Sequence, residues 1–281
     1  MERVYESSIV EAEIVDGGTV NVETDNVTAL TISRDVADRV LIDGDLLACR
    51  TAADGLLPDV YYQLTGDGWL VLDYETSRAF ADNPDLNKRH GLQGPIDDAF
   101  MDSFVCVRGT GTPLNPAGHQ WALAQLDQFT TEFDQWMRGK VRVLDDSAVD
   151  EQAIADNNLV LFGDPGSNAL IAKVLPDLPI QWTADRISIG DRSWDTKNHS
   201  ISLIYPNPLN PARYVVINSG HTFHDKDFRA SNAWLFPRLG DLAVRSISTV
   251  TRSDAADTSP DVVWAANFNS SWLLDDRSAR E

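Results

Sequence analysis

Leu159-Val160-Leu161-Phe162-Gly163-Asp164-Pro165-Gly166-Ser167-Asn168 decides the fold class of this 281-residue chain. Four consecutive apolar residues predict a strand covered on both faces, the pattern of a parallel sheet with helices on either side. Gly163-Asp164-Pro165-Gly166 turns the chain, and Ser167 or Asn168 caps a helix running to about residue 175, limited by Pro176 and Pro179. A strand feeding a Gly-rich turn and a helix start is half of an α/β unit.

The same grammar extends outward from this unit. Upstream, residues 104–108 read as a strand followed by the turn Gly109-Thr110-Gly111. A helix is expected over about 116–138, because Ala122, Leu126, Phe129, Phe133 and Trp136 recur at spacings of three and four. Residues 141–144 give the next strand and 150–155 a short helix. Downstream, strands are expected at 187–189, 200–205, 214–218 and 262–266. The alternation predicts a mostly parallel sheet, flavodoxin-like or Rossmann-like, over residues 89–281.

Residues 1–88 follow a different pattern. Val20 and Val22, Leu30 and Ile32, and Val40 and Ile42 each place two apolar side chains on one face at period two. Asp16-Gly17-Gly18, Asp43-Gly44-Asp45 and Gly66-Asp67-Gly68 supply turns that tolerate positive φ. These runs predict a small β-rich, sandwich-like subdomain. A linker or ordered crossing loop over about 76–103, broken by Gly and Pro, is expected to separate it from the α/β part.

Composition narrows the functional classes. With 43 Asp and Glu against 23 Lys and Arg, the formal charge is −20, a field that repels nucleic acid and anionic membranes. Neither is expected as a partner. An apolar share of 43% supports a folded core. Cys49 and Cys106 form neither a disulfide framework nor a zinc spacing, and Cys106 sits in the apolar run Phe104-Val105-Cys106-Val107 as a buried thiol. There is no export signal at the start and no apolar stretch near the roughly 18 residues of a membrane span, so a soluble chain of unspecified compartment is expected.

Motifs that would carry chemistry are incomplete. Neither GxxxxGK[ST] nor GxGxxG occurs, and no cofactor is expected. GxSxG is missing too; Ser167 comes nearest but does not have the glycines two places to either side that a nucleophile elbow carries. Ser219 and His221 follow one strand without forming a recognisable triad. His221, His224, Asp225 and Asp227 have no specific metal spacing, so neither a catalytic residue nor a metal ligand is assigned.

Ligand contact is instead expected at the carboxyl edge of the sheet. There Gly109, Thr110, Gly111, Gly163, Asp164, Ser167 and Asn168 follow strands, with free donors at a helix start. Asn207 and Asn210, in Tyr205-Pro206-Asn207-Pro208-Leu209-Asn210-Pro211, are expected to converge on the same edge. The simpler reading of all these turns is a role in folding alone.

Four stretches, His90-Gly91-Leu92-Gln93-Gly94-Pro95-Ile96-Asp97-Asp98-Ala99-Phe100, 158–168, 204–210 and 214–220, together resemble the C-terminal region of large prolyl-oligopeptidase-like serine hydrolases of planctomycete-type bacteria. Their order and spacing fit, and the β-rich start is similar to the segment that follows the hydrolase domain in such proteins. The resemblance implies that an upstream α/β-hydrolase domain carries the nucleophile and triad, so no catalytic residue transfers to this chain. It implies a non-catalytic accessory module that docks on a hydrolase domain, in cis or in trans, or binds its small-molecule or polymer substrate. As a fragment of such a protein the chain would be secreted or periplasmic. The alternatives are an independent hydrolase or transferase using the sheet edge, and a small-ligand-binding protein.

Overall fold

The computed structural model describes residues 7–15, 18–49, 59–73, 75–76, 87–89, 91–223, 225–229, 235–247, 262–274 and 279. The turn residues Asp16 and Gly17, the Asn83-Pro84-Asp85 segment, His90 and His224 lie outside them. The chain divides into two compact units, residues 1–87 and 88–281.

The first unit contains β1 (Ile9–Val15), β2 (Thr19–Asp25), β3 (Ala29–Ser33), β4 (Arg39–Ile42), β5 (Asp45–Ala48), β6 (Asp59–Thr65) and β7 (Gly68–Val71). They form two sheets, ordered β1-β2-β4-β5 and β3-β6-β7, around one apolar core. The period-two pattern is the cause: Val20, Val22, Val40 and Ile42 point inward to meet Val60, Tyr62 and Trp69. Asp43, at φ 49°, turns β4 into β5 and accepts hydrogen bonds from Thr24 and from the Trp69 indole at 2.9 Å. Burial works against its charge, but the Thr24 and Trp69 hydrogen bonds prevail and hold its carboxyl below the ordinary value.

The second unit contains β8 (Phe104–Arg108), α1 (Pro116–Met137), β9 (Val143–Asp145), α2 (Glu151–Asp156), β10 (Asn158–Phe162), α3 (Ala169–Val174), β11 (Gln181–Trp182), β12 (Arg186–Ile189), β13 (Arg192–Asp195), β14 (His199–Asn207), β15 (Asn210–Ile217), α4 (Asp225–Phe228), β16 (Leu242–Ser246) and β17 (Val262–Ala266). Seven strands make one sheet in the order β17-β16-β14-β15-β10-β8-β9, and β11, β12 and β13 form a separate ribbon.

As the alternation predicts, β9, β8 and β10 are parallel neighbours, with Val160 opposite Cys106 and Val107 opposite Leu144. β10 is buried along its whole length, and α1 lies against β8 and β10 through Phe129 and its neighbours. Asn115 caps α1 by accepting from the Ala117 N–H, and Pro116 takes the first helical position, where its missing donor costs nothing.

The expectation of a mostly parallel sheet needs correction. The molecule is a mixed α/β chain whose large sheet is parallel on one side only. β15 joins β10 in parallel, but β14, β16 and β17 add as antiparallel neighbours. The physical reason is the connection: Pro208 and Leu209 make a tight hairpin between β14 and β15, too short for the crossover that a parallel pair requires.

Candidate functional site

Because β8, β10 and β15 are parallel, their carboxyl ends deliver Gly109, Gly163 and Asn218 to one edge of the sheet. Seven of the expected contact residues, Gly109, Thr110, Gly111, Gly163, Asp164, Ser167 and Asn168, meet there as two interlocked turns. The Gly111 N–H donates to Ser167 O at 2.8 Å, and Gly109 N–H donates to Phe162 O at 2.9 Å. A Cβ on Gly109 would stand 2.7 Å from Ser167 O, and one on Gly163, whose φ is +134°, would stand 2.5 Å from Ser167 Oγ. Gly109 is required because backbone packs on backbone there, and Gly163 because its positive φ and the Ser167 hydroxyl leave no room for a side chain.

The polar groups of the edge are used up by one another. Asp164 Oδ1 accepts from the Gly166 and Ser167 N–H groups, and its Oδ2 accepts from the Asn115 N–H at 3.0 Å. Ser167 is 0% exposed; its hydroxyl accepts from the Asp164 N–H at 2.9 Å and faces Asp164 O at 3.3 Å. Asn168 caps α3 through Oδ1, which accepts from Leu170 and Ile171 N–H, while its Nδ2 donates to Val107 O and Phe162 O. The expectation of free donors at this helix start is therefore overturned. Asn168 and Asp146 have taken them.

Asp146 is a tie that the sequence does not reveal. Its Oδ1 accepts from the Thr110 N–H and hydroxyl, the latter at 2.6 Å, and its Oδ2 from the Ala169 N–H at 2.8 Å. Burial opposes its charge, but the Ala169 and Thr110 donors outweigh that and keep its carboxyl below the ordinary range. Its only sequence signal is its place at the end of β9.

Asn207 and Asn210 do not join this edge, which corrects the expected convergence. β14 runs antiparallel to β15, so the hairpin between them falls at the opposite end of the sheet. Asn207 Oδ1 accepts from the Leu209 N–H, and Asn210 Nδ2 donates to Ile154 O and Ala155 O at the end of α2. Both hold the hairpin in place.

Ser219 and His221 make no catalytic pair. The Ser219 hydroxyl donates to Gly220 O at 2.9 Å. The His221 ring sits among Phe129, Phe223 and Phe228, with centroids 5.3 to 5.5 Å away, and neither ring nitrogen has a hydrogen-bond partner among the described residues. Burial pushes its pKa down to about 4. The next residue, Thr222, donates its N–H to Asp97 Oδ1 at 2.7 Å and its hydroxyl to Asp97 Oδ2. Burial pushes Asp97 up to about 6 despite those hydrogen bonds. Asp97 lies in one of the stretches that carry the family resemblance, yet nothing in the sequence marks it as buried.

One narrow cleft adjoins the edge, lined by Asn115, Asp164, Trp182, Thr183, Thr196 and His199 among others, with room for about one water molecule. His119 Nδ1 is buried nearby without a partner. Among the described residues no group of three or more His, Cys, Asp or Glu side chains is gathered to hold a metal, and no helix is long and apolar enough to cross a membrane. Comparison with models of known families, with curated proteins and with solved structures returns no match.

Proposed function

We propose that this chain is a non-catalytic accessory module that works beside an α/β-hydrolase catalytic domain, docking on that domain or on its substrate. One observation carries the reading. The carboxyl edge of the sheet, where α/β layers usually place reactive or ligand-binding groups, is closed by its own hydrogen bonds, with the Ser167 hydroxyl buried against Asp164. A nucleophile needs an accessible oxygen and an adjacent base. The Ser167 oxygen is buried and engaged with the Asp164 backbone, and the hydroxyl of Ser219 points to a carbonyl. The parallel half of the sheet is the part that a Rossmann-like description would fit. The resemblance to the region that follows the catalytic domain in prolyl-oligopeptidase-like hydrolases supplies the proposed partner.

The test is activity toward aryl esters and peptide anilides, with and without a co-expressed hydrolase domain, together with fluorophosphonate labelling. The chain alone should turn over neither substrate class and take no label. It should co-purify with the hydrolase domain or alter its activity. Stoichiometric labelling of Ser167 or Ser219 would reject the non-catalytic assignment, and failure to associate with domain or substrate would reject the accessory role.

A further inference from the structure

β1 is the outermost strand of its four-stranded sheet, and all seven of its residues are exposed. Its antiparallel register sets Ile14 opposite Val20 and Ala12 opposite Val22. Residues opposite one another share a face, so Val10, Ala12 and Ile14 continue the face on which Val20 and Val22 are buried, at 4% and 1% exposure. Yet Val10 is 53% and Ile14 69% exposed. The core face of the sheet therefore extends one strand beyond what the described residues cover, on an edge whose outward N–H and C=O groups pair with no other strand among the described residues.

The opposite face of the strand states the chemistry of the missing neighbour. Glu11 and Glu13 project there, and Glu11 stands directly across from Glu23. Like charges in direct cross-strand opposition destabilise a sheet, and a cation on the next strand would relieve them. We propose that β1 is a docking edge for an extended segment of a partner protein in which apolar and basic residues alternate. The segment would add as a fifth strand, its apolar side chains covering Val10 and Ile14 and its Lys or Arg side chains facing Glu11 and Glu13.

Charge argues against a second copy of this chain as the occupant. Two β1 strands paired antiparallel about Ala12 would set Glu11 of one copy against Glu13 of the other, and two chains of formal charge −20 repel at longer range. The inference concerns the first unit alone and does not rest on the accessory role proposed for the chain, whose supporting geometry lies in the second unit.

The probe is a fluorescein-labelled seven-residue peptide with alternating Lys and Val, titrated with the full chain and followed by anisotropy. Controls are a peptide of the same composition with Lys and Val in separate blocks and a peptide with Glu in place of Lys. The alternating Lys peptide should bind and the blocked peptide should not. The double variant Glu11→Lys, Glu13→Lys should lose the Lys peptide by roughly tenfold or more and gain the Glu peptide, as cross-strand charge pairing requires. Val10→Lys with Ile14→Lys, at exposed positions, should abolish binding while leaving the fold intact by circular dichroism.

Equal binding of the blocked peptide would reduce the effect to general attraction by an acidic chain and overturn the proposal. So would Lys-peptide binding that the charge reversal leaves unchanged, or no binding at all. A dimer in sedimentation that Ile14→Lys dissociates would assign the edge to a second copy. Strong hydrogen-exchange protection on both sides of β1 in the monomer would assign it to a segment of this chain. Either result rejects the partner strand.

Discussion

Asn218 and Gly163 exchange two hydrogen bonds beyond the ends of adjacent parallel strands: the Gly163 N–H donates to Asn218 Oδ1, and Asn218 Nδ2 donates to Gly163 O, each at 2.9 Å. The backbone ladder between β10 and β15 ends as Asn218 N–H donates to Leu161 O. From there the Asn218 amide takes the place of the next peptide group. Asn is suited to this position because φ is 49°, a left-handed value it tolerates better than most side chains. The sheet edge is thus closed where a ligand would otherwise find backbone donors.

Replacing Asn218 with Ala should therefore cost about 2–4 kcal/mol, because both polar groups of Gly163 are left buried and unpaired. Urea denaturation of the 88–281 unit measures it. A loss under about 1 kcal/mol would mean that water replaces the amide readily and that the edge is less closed than its geometry indicates.

Asn168→Ala should exceed the roughly 0.5–2 kcal/mol of an ordinary N-cap. The side chain does more than cap: its Nδ2 also bonds the carbonyls of Val107 and Phe162, the ends of two neighbouring strands. A loss confined to the cap range would show that those two bonds contribute little. Ser167→Ala leaves the Asp164 N–H unbonded and should destabilise by about 1–3 kcal/mol, with no change in fluorophosphonate labelling.

Cys106 should be inert toward thiol reagents in the native chain. It is buried in β8, and burial pushes its pKa far up, so the reactive thiolate is not formed. Reaction with an aromatic disulfide reagent should appear only as urea unfolds the second unit. Rapid labelling of Cys106 in the native state would contradict its burial.

The parallel half of the sheet was legible because its strands are short apolar runs separated by a helix-period segment. Cys106, Val160 and Leu144 could be placed on neighbouring strands from that pattern alone. The antiparallel half was hidden by its own prolines. Pro206 lies within β14 beside a register shift, where a missing donor is tolerated, so Tyr205 to Pro211 reads as a rigid extended segment instead of a hairpin. That hairpin carries Asn207 and Asn210 to the amino end of β15, away from the edge that their place after a strand predicts. At the correct edge, Ser167 and Asn168 could be read as turn and cap residues. Their saturation could not, because it depends on Asp146 and Asn218, which come from other strands. Sequence spacing carries no sign of such a long-range hydrogen bond.

Asp97 and His221, joined through Thr222, should give the second unit opposing pH dependences. Asp97 is raised from 3.8 to about 6 in the folded chain, so the folded state binds its proton more tightly than the unfolded state does. Its contribution to stability is complete below about pH 4 and is lost as pH rises through 6. His221 is lowered from 6.5 to about 4, so the unfolded state binds that proton more tightly. Its contribution is complete above about pH 6.5 and is lost as pH falls through 4. Between pH 4 and 6 the two largely offset, while Asp43 and Asp146, held below their ordinary values, lose their contributions mainly beneath that window. The Glu132 carboxylate lies 4.0 Å from His221 Nε2 and would face the imidazolium. Removing either member should expose the other. Asp97→Asn, which keeps an acceptor for Thr222, should lose stability relative to the parent chain on acidification from pH 6.5 to 4.5, both chains retaining Asp241, whose carboxyl burial also raises. His221→Phe, which puts an apolar ring among Phe129, Phe223 and Phe228, should gain stability over the same interval. Each swing should amount to roughly 1–3 kcal/mol, read from urea midpoints at pH 4.5, 5.5 and 6.5. Parallel pH profiles for the parent chain and both variants would show that neither group titrates as its burial requires.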